Sequence, residues 1–154
     1  MKSKIILLII FVFGTWLQGT TQTPPLTYKN AIGITVWDGV GATYKHFLKE
    51  NAALEAIAFF NSKGARTTGL YEFHFRLGNE PGLRWFVGPG AHLGFYNNTN
   101  GNGLFPGIDG IIGVEYIFNK IPLNAAINWQ PTVEFGNDRG FNGSWGGLSA
   151  RYIF

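Results

Sequence analysis

Apolar and polar positions alternate through most of this chain, most clearly in its second half. From Leu83 onward, Leu83, Trp85, Val87, Pro89, Ala91, Leu93 and Phe95 oppose Arg84, Phe86, Gly88, Gly90, His92 and Gly94. Successive side chains of a strand point to opposite faces, so this pattern predicts one greasy face and one small or polar face. Ile108, Ile112, Val114, Tyr116 and Phe118 oppose Asp109 and Glu115 in the same way, and Leu123 to Phe135 and Tyr71 to Leu77 repeat it. Turn-forming clusters divide the chain into runs over 30–38, 40–48, 52–60, 66–77, 83–96, 106–118, 123–135 and 143–154. The first three alternate less cleanly. These runs predict an all-β domain, and an even number of antiparallel strands can close without leaving an edge.

Alternation alone does not say which face is inside, because a soluble barrel or sandwich shows the same pattern with its apolar face inward. Three features place the apolar face outside. Charged residues make up 14% of the chain, against about a quarter in a soluble domain. The runs approach the ~9–11 residues with which a tilted strand crosses a bilayer, whereas globular strands average about five or six. Aromatics cluster near run ends, at Trp85, Phe95, Tyr116, Phe118, Phe135 and Tyr152, where a girdle at a membrane interface would sit.

Met1-Lys2-Ser3-Lys4 followed by the apolar stretch from Ile5 to Phe13 has the layout of a secretory signal peptide. Gly14, Thr15, Gln18 and Gly19 end that stretch below the ~18 residues of a spanning helix. The expected division is therefore a signal peptide over 1–21, cut before Gln22, and a barrel domain over 22–154. Removing Lys2 and Lys4 leaves 10 basic residues against 9 acidic, taking the formal charge from +3 to +1. The basic balance then gives no reason to expect a nucleic-acid partner. The absence of cysteine from the sequence rules out disulfides and thiolate metal sites.

The signal segment, the eight runs and the closing Tyr152-Ile153-Phe154 resemble the small eight-stranded outer-membrane barrels of Gram-negative bacteria, the OmpX and OmpA transmembrane-domain type. The resemblance covers essentially the whole mature chain. It implies an eight-stranded antiparallel up-and-down transmembrane β-barrel in the cell outer membrane, in contact with outer-membrane lipid and expected to be a monomer. In that family the barrel-assembly machinery reads the C-terminal aromatic strand, a part that would fall to Leu148, Ala150, Tyr152 and Phe154. Both termini would lie in the periplasm. The connections at Asp38-Gly39, Asn61 to Gly64, Asn97 to Gly103 and Gly136 to Gly140 would then be extracellular.

An eight-stranded barrel has an interior that side chains fill, so a plugged lumen without an open pore is expected, and charges inside it must pair. Antiparallel register places Glu115 near Arg84 and Asp109 near His92, with Arg151 beyond Glu115 and with Glu72 and Arg76 on the neighbouring strand. These seven residues form the expected lumen cluster, structural rather than catalytic.

His74 and His92 pair at different heights and His46 lies on another strand, so no shared metal ion is expected. Ser62 and Ser144 have no histidine evident within reach, and the glycines from 136 to 147 lack the context of a phosphate cradle. No catalytic residue and no cofactor is therefore expected. Two functional readings remain: an outer-membrane protein acting structurally or through its surface loops, and a secreted, soluble lipocalin-like barrel that binds an apolar ligand.

Overall fold

The computed structural model describes residues 28–96, 103–136 and 139–154. The expected signal peptide, most of the Asn97 to Gly103 loop and part of the Gly136 to Gly140 turn lie outside these residues. Ten strand segments follow one another: β1 (Asn30–Val36), β2 (Val40–Lys49), β3 (Ala52–Asn61), β4 (Gly64–Arg76), β5 (Leu83–Tyr96), β6 (Gly103–Ile117), β7 (Leu123–Trp129), β8 (Thr132–Glu134), β9 (Phe141–Asn142) and β10 (Gly146–Ile153). They build eight staves, because β7 and β8 are successive parts of one stave and β9 and β10 of another.

Every neighbouring pair is antiparallel. The order β5-β4-β3-β2-β1-β10-β7-β6 closes through the pairing of β5 with β6. The seam between first and last staves is continuous from Ala31↔Ile153 to Val36↔Leu148. Closure leaves the staves without a free edge along their paired length. The run expected over 123–135 is interrupted at Gln130-Pro131. A proline has no N–H for the ladder, so regular pairing lapses there while the Pro131 carbonyl still accepts from Gly110 at 2.9 Å. The run expected over 143–154 pairs regularly only from Gly146, and the short β9 precedes it at Phe141–Asn142.

The faces follow the alternation. Ile127 and Trp129 are 55% and 50% exposed, whereas Glu115 is fully buried. The apolar face is thus the outer wall, and the alternate residues fill the lumen. At the end carrying Tyr28 and Phe154, the rings of Tyr28 and Phe47 pack with Ile117 and Ala53. Further along, Phe86, Leu70, Ile57, Ile111 and Phe59 fill the middle. These lumen-facing apolar residues explain why the runs over 40–48 and 52–60 alternate poorly: Phe47, Ile57 and Phe59 point inward between outward apolar neighbours. The lumen admits such rings because glycines make room opposite them. A Cβ on Gly113 would lie 2.5 Å from the Phe86 ring and 2.6 Å from the Ile127 carbonyl.

Candidate functional site: two ionic layers in the lumen

Six staves contribute to the layer nearer the chain termini. Alternation on β2 directs Lys45 inward, where its ammonium lies 2.7 Å from Glu72, 3.3 Å from Glu55 and 3.6 Å from Glu115. His74 of β4 bridges Glu72 at 2.9 Å and Glu115 at 3.1 Å. Asn124 of β7 donates to Glu115 at 3.0 Å and accepts from Arg151 of β10 at 3.0 Å. Arg151 also reaches Glu55 at 2.5 Å, and the Thr43 hydroxyl donates to the same carboxylate. Below, the buried Tyr28 phenol is pushed well above its ordinary range by desolvation, reinforced by the Glu115 carboxylate. Above, the Lys45 ammonium sits 4.6 Å from the Phe86 ring centre and the His74 ring stacks on that ring at 5.2 Å.

Such a network opposes a desolvation cost of several kcal/mol per ion with mutual attraction that is strong in a low-dielectric interior. Its consequence is specificity of register. A strand slipped by one residue would turn its charge out of the lumen and leave a partner buried without compensation.

The second layer lies nearer the opposite end. Arg66 of β4 pairs with Asp109 of β6. His92 of β5 places Nδ1 3.0 Å from Asp109 and Nε2 3.2 Å from Glu134. Glu134 also accepts from the Tyr96 hydroxyl at 2.6 Å and from Arg139 at 2.9 Å. The Arg139 guanidinium lies 4.0 Å from the centre of the Phe105 ring and 4.7 Å from that of Tyr96, and Arg66 lies 4.3 Å from that of Trp145.

The residues singled out from the sequence divide between these layers. Glu72, Glu115 and Arg151 belong to the first, Asp109 and His92 to the second. Arg84 is buried opposite Glu115 in the ladder, but the carboxylate takes its ion pairs from Lys45 and His74. Arg76 is half-buried at the end of β4. His92 stands opposite Gly107, two residues before the partner expected, and its ring still reaches Asp109.

Lys45, Glu55, His74 and Arg66 were not assigned to the cluster from the sequence. Their parity would have found them: Lys45 follows Gly41 and Thr43 on the inward face of β2, and Glu55 follows Ala53 on that of β3. Adjacent-strand pairing joins Lys45 to Glu55, its direct partner across β2 and β3, but not Lys45 to Glu115, which it meets across the lumen. Leu148, Ala150 and Tyr152 face outward on β10, and Phe154 is exposed beside them.

No family model, curated protein or solved structure compared with this chain matches it. Its chemistry therefore rests on geometry. Among the described residues no group of three or more His, Cys, Asp or Glu side chains is arranged to hold a metal ion. The Thr132 hydroxyl lies 3.3 Å from His92, but on the same Nδ1 that faces Asp109. The opposite ring nitrogen, Nε2, faces the Glu134 carboxylate at 3.2 Å. Both layers pair buried charges inside the barrel.

Proposed function

We propose that the protein is a small integral outer-membrane barrel of the OmpX and OmpA transmembrane-domain type, acting structurally or through the loops at the end opposite its termini. One observation carries this reading. Among the described Asp, Glu, Lys and Arg residues, those exposed are Lys29, Asp38, Lys49, Glu50, Lys63, Glu80 and Lys120. All lie at the ends of staves or in the turns between them, so the wall between the two rims carries no ionised carboxylate, ammonium or guanidinium. Ile32, Ile34, Tyr44, Leu54, Phe73, Ile108, Ile112 and Leu148 instead stand 41–56% exposed around it. An apolar surface of this extent is unstable in water and suited to hydrocarbon, where a charge near the midplane costs about 2–4 kcal/mol.

The interior supports the same reading. A carrier of apolar ligands needs an apolar cavity of about 300–1,000 Å³, whereas this lumen is crossed by two ionic layers and by buried Phe47, Phe86 and Leu70. Outward Leu148, Ala150, Tyr152 and Phe154 fit a strand presented to assembly machinery.

Fractionation of expressing cells tests the proposal. Recovery in detergent extracts of the outer membrane, with faster gel migration before boiling than after, is the expected result. Recovery in aqueous periplasmic extract would replace it with the lipocalin-like reading.

A further inference from the structure

We infer that a small cavity beside Arg66, between the middle of the lumen and its upper ionic layer, is a binding site for a single halide ion. The cavity measures about 20 Å³ and is lined by Thr35, Arg66, Thr68, Asn128, Gln130 and Trp145, with three further neighbours, none of them a carboxylate. This is room for one water-sized guest. Phosphate, sulfate and organic carboxylates are too large for it.

The hydrogen-bonding groups around the cavity decide what that guest is. Arg66 is 3% exposed; its Nη2 binds Asp109 and its Nε donates to the Thr68 hydroxyl at 3.3 Å. Its remaining nitrogen, Nη1, has no hydrogen-bond partner among the described residues. The Thr68 oxygen already accepts from Arg66, and the Thr35 oxygen accepts from Ser149 at 3.0 Å. Each threonine therefore keeps its own hydrogen to donate. Asn128 and Gln130 are 8% and 7% exposed, and each lines the cavity with an amide whose NH2 end can turn toward a guest.

A hydroxyl donates one hydrogen, an amide two, and a guanidinium only donates. A water molecule in the cavity accepts two of these hydrogens and must place two of its own. A halide accepts from all of them, and its bond to the guanidinium is charge-assisted. The unpartnered Arg66 Nη1 carries the argument: with both amides turned NH2 end inward, the cavity offers an anion a charged donor and several neutral ones. The Arg66 guanidinium packs against the Trp145 ring, which lines the same cavity. The site does not depend on whether the outer wall meets lipid or water.

The test uses the full chain refolded in detergent micelles, with thermal unfolding followed in sodium chloride, sodium bromide and sodium gluconate at equal ionic strength. The expected result is a saturable rise of several degrees in the unfolding midpoint with chloride and bromide and none with gluconate. Thr35→Val and Gln130→Leu each remove donors without removing charge, and each is expected to diminish the halide-dependent rise. Either variant that folds carries this comparison. Crystals soaked in bromide should show an anomalous peak between Arg66 and Gln130, a measurement that needs no variant. Equal midpoints in chloride and gluconate, a rise of the same size in wild type and variants, or no anomalous peak there would each overturn the inference.

Discussion

At the scale of single residues, the buried carboxylates have the largest consequences. Glu115 is fully buried and faces Lys45, His74 and Asn124, so removing its charge leaves cations without their counter-ion in a low-dielectric interior. Glu115→Gln is expected to destabilise the barrel by about 3–5 kcal/mol, seen as an earlier transition in denaturant unfolding from detergent. An unchanged transition would mean that the remaining carboxylates compensate. Glycines divide sharply by position. Gly113→Val forces a side chain into the Phe86 ring and the Ile127 carbonyl, and is expected to abolish refolding or lower the midpoint strongly. A Cβ on Gly69 meets nothing within 4 Å, so Gly69→Ala should refold like wild type in the same assay.

At the scale of elements, the strand runs and their turns were legible because lumen and wall impose a period of two that glycine, asparagine and proline interrupt. Tyr71 to Leu77 and Leu83 to Phe95 gave their faces directly. β2 and β3 gave theirs poorly, since Phe47, Ile57 and Phe59 fill the lumen with the same residue types that cover the wall. The ionic cluster was legible only where its members share a ladder. Glu115 and Arg84 are cross-strand neighbours, and sequence reasoning joined them; Lys45 shares a ladder with Glu55, but it also reaches Glu72 and Glu115 on strands not beside its own.

The seam between β1 and β10 offers a test at this scale. Ile34 and Ala150 are partners on the outer wall, and the sequence contains no other cysteine to compete. An Ile34→Cys, Ala150→Cys double variant is expected to cross-link under mild oxidation in the folded state and not in denaturant. The oxidised barrel should then need a higher temperature to lose its compact gel migration. Failure to cross-link when folded would contradict closure at this seam.

At the scale of the whole molecule, charge is sorted by depth. It is absent from the middle of the wall, present at both rims and paired inside. The proposed membrane setting predicts that tolerance to a new charge follows the same order. Ile127→Arg, in the middle of the wall, should cost about 2–4 kcal/mol, whereas Ile121→Arg, in the turn between β6 and β7, should cost about 0–1 kcal/mol. The check is refolding yield and denaturant unfolding in lipid vesicles of defined thickness. Equal costs at the two depths would argue that water rather than hydrocarbon covers the wall.

The sequence by itself determined that the chain is all-β, where its strands run, and which alternate residues share a face, because side-chain direction in a strand depends only on parity. Tertiary structure alone decided which charges meet across the lumen, as Lys45 meets Glu72 and Glu115. That choice depends on how staves from opposite sides of a narrow cylinder project to one centre, a distance that no spacing along the chain encodes. It also decided that Pro131 interrupts a stave without opening the wall, since the neighbouring carbonyl and the flanking strands carry the pairing past it.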